Sequence, residues 1–214
     1  MSLLNALQHK SVRSTTPFLH WEIDQPFTPE ILDEVVATDI PNIRRSYDGT
    51  RAGDAGDGGV KTRCYVNREN ISEFPAISEL VDELRRRETI ELIEEMLERK
   101  MDDAYLRVEV IADREGFWLQ PHKDIKEKLM SMLLYVNPHD ESENLGTDLY
   151  DGDLNLVKTV PYRNNHGYMF APAGDTWHGL EKKPIRIERR SMLINYVTFQ
   201  TDWKLPERRR RAAA

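Results

Sequence analysis

Residues 105–111 read Tyr105-Leu106-Arg107-Val108-Glu109-Val110-Ile111. Leu106, Val108 and Val110 alternate with Arg107, Glu109 and Ile111, the period-two signature of a strand with two unlike faces. Four further strand-length segments follow: Leu129 to Val136, Asp153 to Thr159, Gly167 to Phe170 and Arg190 to Phe199. They are rich in β-branched, aliphatic and aromatic residues, and Gly, Pro, Asn and Asp turns separate them. On the N-terminal side the period changes. From Ser78 to Lys100, Leu80, Val81, Leu84, Ile90, Ile93, Met96 and Leu97 recur at helical spacing. The run Arg85-Arg86-Arg87-Glu88-Thr89 divides it into two helices or bends one. Further upstream, Thr28-Pro29-Glu30 predicts a helix start, with Ile31, Leu32, Val35 and Val36 as its apolar face. Trp21-Glu22-Ile23 predicts a short strand.

Helices first and a run of strands afterwards predict an α+β, mainly β chain, a β-sandwich or jelly roll backed by N-terminal helices. No linker or internal repeat divides it, so residues 1–214 are expected to form a single domain: 1–104 as support and lid, 105–199 as the core, 200–214 as a tail. The chain has 214 residues, long enough to bury a substantial core. With 39% hydrophobic and 31% charged residues it has a globular composition. Its formal charge of −7 gives no general footprint for nucleic acid or membrane. Cys64 is the sole cysteine, which excludes an intramolecular disulfide and a thiolate zinc cluster. No apolar run has the length of a membrane span, and Met1 to Ser14 lack the form of a signal peptide, so the cytoplasm is the expected compartment. The glycine-rich stretch Gly49 to Gly59 lacks the glycine that a phosphate-binding loop needs before Lys61. It predicts a surface loop that could serve as a lid. Arg208 to Arg211 predict a solvated tail.

Two histidines sit in informative surroundings. In Leu119-Gln120-Pro121-His122-Lys123-Asp124, positions i and i+2 of an extended segment project to one side, so His122 and Asp124 can hold one ion together. The second is His178, in Gly174-Asp175-Thr176-Trp177-His178-Gly179, between two predicted strands that a jelly roll can bring to the same mouth. Two imidazoles and a carboxylate on one face of an iron leave three positions for a bidentate 2-oxo acid and dioxygen. Then comes Arg189-Arg190-Ser191-Met192-Leu193-Ile194-Asn195-Tyr196-Val197. Arg189, Ser191, Leu193 and Asn195 share one face, and a guanidinium with a hydroxyl at i+2 makes a receptor for a carboxylate. Arg186 and Arg190 compete with Arg189 for that role.

The order His-x-Asp, a strand with Tyr-Val-Asn, a Gly-rich hairpin, Pro-x-Gly-x-x-x-His and Arg-x-Ser resembles the Fe(II)/2-oxoglutarate-dependent dioxygenase superfamily, in particular its short, prolyl-hydroxylase-like branch. The resemblance covers residues 105–199. It implies a double-stranded β-helix (jelly-roll, cupin-like) core, iron held by His122, Asp124 and His178, and a co-substrate carboxylate held by Arg189 and Ser191 with help from Tyr135. It also implies that 2-oxoglutarate and O2 are consumed, that succinate and CO2 are released, and that an unactivated C–H bond is hydroxylated. Retention of Asp124 favours hydroxylation or desaturation over halogenation. The segment Asp140 to Gly146 imitates a calcium loop but has its glycine misplaced.

Arg107 and Glu109 are expected on the barrel interior, where they either pair with each other and their neighbours or grip a charged substrate. Trp118 and Trp177 are candidates for pocket walls or for core packing. Arg163-Asn164-Asn165-His166 predicts a polar turn that could stand at the site entrance. The expected substrate is a small polar metabolite, an amino acid or a biosynthetic intermediate, handled by a monomer or homodimer. The alternatives are a hydroxylase of a protein side chain, a cupin-type metalloenzyme that does not use 2-oxoglutarate, and a non-catalytic binding module.

Overall fold

The computed structural model of the chain describes residues 2–40, 49 and 63–207. The stretch from Gly49 to Gly59, apart from Gly49 itself, and the arginine tail lie outside them. Four helices precede most of the strands: α1 (Leu3–His9), α2 (Pro29–Ala37), α3 (Pro75–Leu84) and α4 (Arg87–Met96). The strands are β1 (Ser11–Ser14), β2 (His20–Asp24), β3 (Arg63–Val66), β4 (Tyr105–Asp113), β5 (Leu119–His122), β6 (Lys128–Val136), β7 (Thr147–Tyr150), β8 (Leu156–Val160), β9 (His166–Phe170), β10 (His178–Leu180), β11 (Arg189–Val197) and β12 (Trp203–Lys204). They form two antiparallel sheets. The larger runs β1-β2-β9-β6-β11-β4-β12, with β3 also on β4; the smaller runs β5-β10-β7-β8.

The alternation in β4 sorts residues between two cores. Leu106, Val108, Val110 and Ala112 face outward into an apolar layer with Met130, Met132, Leu134, Met192, Ile194 and Tyr196. The helices cover this layer with Ile31, Val35, Ile77, Leu80, Leu84, Ile90 and Ile93. The opposite face of the large sheet meets the small one through Tyr135, Tyr168 and Phe170 on one side and Leu119, Leu149, Val160 and Leu180 on the other. The architecture is therefore a jelly roll backed by helices. No helix of the described residues is long and apolar enough to cross a membrane.

Local chemistry sets the helix ends. The Thr28 hydroxyl accepts from the Ile31 N–H and Pro29 occupies the first turn, as the sequence predicts. The buried face of α2 is narrower than expected: Ile31 and Val35 are sealed, whereas Val36 is 43% exposed. The helical region from Ser78 to Lys100 is two helices, parted at Arg85-Arg86, and it begins earlier, at Pro75. Phe74 cannot cap α3 with its side chain. The Glu34 carboxylate of α2 does so instead, accepting from the N–H groups of Ala76 (2.7 Å) and Ile77 (2.8 Å). The strand expected from Asp153 starts only at Leu156. Asp151 Oδ1 accepts from the N–H groups of Asp153 and Asn155, folding that stretch into a turn with Leu154 at φ +63°.

Candidate active site

Strand register brings the two histidines together. His178 and His122 are direct cross-strand partners in the β10–β5 pair, with ring centroids 4.4 Å apart. Each Nδ1 lies within hydrogen-bond distance of a backbone carbonyl: that of Gln120 for His122 (2.9 Å) and that of Thr176 for His178 (3.0 Å). A carbonyl only accepts, so Nδ1 carries the proton and Nε2 carries the lone pair in both rings.

Asp124 arrives by another route. It lies beyond the end of β5 rather than within it, so period-two projection does not place it. The start of β6 holds it: Lys128 Nζ donates to Oδ1 (2.6 Å) and Ser131 Oγ to Oδ2 (2.5 Å). One ligand atom from each of His122, Asp124 and His178 lies within 4.8 Å of the others. Burial by itself would raise the Asp124 pKa, but Lys128, His178 and the Ser131 hydroxyl outweigh it and hold the group at about 2. Burial pushes His178 down to about 4, and His122 adds to the shift, against the attraction of Asp124. Near neutrality the cluster thus offers an anionic oxygen and a neutral imidazole, the forms a divalent cation requires.

The triad opens into a cavity of about 280 Å³ between the two sheets. Its apolar wall includes Phe117, Leu133 and Phe170, and the Phe170 ring stands edge-on to His178 at 5.0 Å. Arg189 also lines it, held at the start of β11 by Nη1 to Asp113 Oδ2 (2.6 Å) and Nε to the Leu145 carbonyl (2.5 Å). The rings of Tyr135 and Tyr162 flank its guanidinium at 5.4 and 5.7 Å. Nη2 makes no hydrogen bond among the described residues. On the same face, Ser191 is fully buried behind the cavity lining, and its Oγ has no hydrogen-bond partner among them.

The competing arginines are engaged elsewhere. Arg186 ties down a loop through Glu141 and the carbonyls of His139 and Asp140. Arg190 projects from the opposite face of β11 to the carbonyls of Val35, Val36 and Thr38 at the end of α2. Tyr135 does not reach the cavity: its hydroxyl is paired with Thr147 Oγ1 (2.7 Å) and accepts from the Thr147 N–H. Thr147 and Tyr168 form the wall at that point. Period-two reading of the Gly167–Phe170 segment puts Tyr168 and Phe170 on one face and could have identified both.

Arg107 and Glu109 line the cavity, as expected, and they pair: Arg107 Nε is 2.7 Å from Glu109 Oε1. Arg63, which sequence reasoning missed, holds the other carboxylate oxygen at 2.9 Å from β3. Trp118 is displaced from the expected site. It packs on Gly49, where an added Cβ would meet its ring at 2.4 Å, and it does not line the cavity. Trp177 carries Lys123 Nζ over its ring at 4.6 Å, a surface contact linking the two ligand-bearing segments. Asn164 and Asn165 form the expected turn, away from the cavity: Asn165 clamps the backbone of Phe27.

No family model matches the sequence, and no curated protein matches it. Solved structures do match. A Pseudomonas putida prolyl-4-hydroxylase superposes with a TM-score of 0.57 at 14% identity, over 92% of this chain and 100% of that one. A Trichoplax adhaerens prolyl hydroxylase, solved with a hypoxia inducible factor peptide fragment, gives 0.55 at 14% identity, over 92% and 87%. At such identities the likeness is one of fold: this chain has the prolyl-hydroxylase jelly roll.

Proposed function

We propose that the protein is an Fe(II)- and 2-oxoglutarate-dependent oxygenase that hydroxylates a small polar metabolite. One observation carries the reading. On a single barrel interior, a three-ligand cluster with two Nε2 lone pairs and an ionised carboxylate shares a cavity with Arg189, a guanidinium with a spare nitrogen. Beside Arg189 on β11 is the buried, partnerless hydroxyl of Ser191. An orphaned buried hydroxyl costs stability unless a ligand completes it, and a carboxylate between Arg189 and Ser191 would do so. The donor set of two imidazoles and one carboxylate fits ferrous iron with open positions.

Ferrous iron, 2-oxoglutarate and O2 would supply the oxidising chemistry, with succinate and CO2 as by-products. The chain supplies position and exclusion. His122, Asp124 and His178 hold the metal. Lys128 and Ser131 fix the carboxylate of Asp124. Arg189 and Ser191 take the distal carboxylate of the co-substrate, and Tyr168 and Thr147 complete that end of the wall. Phe117 and Phe170 keep water from the reacting centre.

Succinate release tests the reading: purified protein with Fe(II), 2-oxoglutarate and O2 is screened against amino acids and related metabolites. Substrate-dependent succinate formation that is lost in Asp124→Ala is the expected result. Turnover of a metabolite without 2-oxoglutarate would instead identify a cupin-type metalloenzyme.

A further inference from the structure

Arg107 occupies the end of the cavity away from Arg189. In the sheet it pairs with Asn195, which pairs with Ser131, the residue bonded to Asp124. Arg107 therefore stands two strands, roughly 10 Å, from the strand that positions the metal ligand, on the same face. The Arg189 backbone lies roughly 20 Å from that row along β11, and its guanidinium is tied to Asp113 and the Leu145 carbonyl. A distal carboxylate taken by Arg189 and Ser191 leaves Arg107 unused.

Several contacts fix the Arg107 guanidinium. Nε pairs with Glu109, Nη2 donates to the Tyr65 hydroxyl (2.7 Å), and the group lies over the Tyr65 ring at 4.8 Å and near the Phe199 ring at 5.9 Å. Neutralising Glu109 does not require Arg107, because Arg63 already holds that carboxylate. Nη1 of Arg107 makes no hydrogen bond among the described residues, and the side chain is 22% exposed on the cavity wall. The arrangement is a stacked, oriented cation with an unused donor edge, which suits a planar monoanion.

We propose that Arg107 is the specificity-determining anchor for a carboxylate on the primary substrate, which is thus a free acid of amino-acid size and not a residue within a polymer. This rests on the oxygenase reading for the role of the neighbouring triad, but the binding test does not require turnover.

The test is calorimetric titration with the L-amino acids, each against its α-carboxamide, its end-blocked tripeptide and, where one exists, its phosphate monoester. Titrations are run on the full chain alone and with Mn(II) and 2-oxoglutarate. The expected result is that at least one free acid binds and that its amide and blocked peptide bind at least about tenfold more weakly. Arg107→Met should weaken the acid to the level of the amide while leaving Mn(II) and 2-oxoglutarate affinity unchanged, and Arg107→Lys should restore part of the loss. Glu109 keeps Arg63 in both variants, so the fold persists. An amide, blocked peptide or phosphate ester binding as tightly as the acid would overturn the proposal. So would an unaffected Arg107→Met, or no acid binding at all. Failure of Mn(II) and 2-oxoglutarate to bind would count against the oxygenase reading alone, since the acid–amide comparison is also made without them.

Discussion

The Ser191 hydroxyl is buried without a partner among the described residues, and a ligand carboxylate would supply one. A buried hydroxyl with no partner destabilises a fold, so Ser191→Ala is expected to leave the unfolding free energy unchanged or to raise it slightly. The same variant is expected to weaken 2-oxoglutarate binding about five- to tenfold. Chemical denaturation and ligand titration on one preparation check both, and a loss of stability above about 1 kcal/mol would mean that Ser191 has a structural partner. His178 gives a second prediction at this scale. Its folded-state pKa is lowered, from 6.5 to about 4, so the unfolded chain binds the extra proton first as pH falls. The metal-free protein should lose stability between pH 6.5 and 4, by about 3 kcal/mol from this group. His178→Asn should flatten that part of the curve. Asp124 has the depressed-carboxylate pattern: its contribution is present above about 3.8 and is lost as pH falls toward 2. The residues of the triad were legible in the sequence. How Asp124 reaches it was not, because Lys128 and Ser131 set its place and no local spacing encodes their contacts.

At the scale of elements, the β5–β10 pair sets the spacing of His122 and His178. Gly179 follows His178, and a Cβ there would meet the Leu119 carbonyl oxygen at 2.6 Å, too close for backbone to tolerate. Gly179→Ala should therefore push the strands apart and weaken Mn(II) binding by more than tenfold, while far-UV circular dichroism stays native-like. Unchanged affinity would mean that the pairing is not what sets the ligand geometry. The α2–α3 junction gives a stability test. Replacing Glu34 by Ala uncaps two N–H groups of α3 and should cost about 1–2 kcal/mol in urea unfolding, with no effect on metal affinity. The long strands β4, β6 and β11 and the capped helix α2 could be read from periodicity and cap chemistry. The short strands β3, β5, β7 and β10 could not, since three or four residues carry too little period, and pairing with neighbours is what makes them strands. The long-range cap by Glu34 is equally invisible to local patterns.

For the whole molecule, two-faced strands divide the interior into an apolar layer under the helices and a polar cavity between the sheets. This division explains why Arg189 and Arg190, adjacent in sequence, have unrelated roles. Parity along β11 sends one into the cavity and the other to the end of α2. The parity was readable beforehand; which face looks into the cavity was decided only by packing. Tyr135 shows the limit of that reading, since it lies on the cavity face but Thr147 stands in front of it. The most direct measurement is anaerobic titration of the protein with Fe(II) and 2-oxoglutarate, followed by visible absorption. The expected result is a weak charge-transfer band that saturates with one equivalent of each and is absent in Asp124→Ala and His178→Ala. Absence of the band in the unaltered protein, or its persistence in both variants, would contradict a metal centre built from His122, Asp124 and His178.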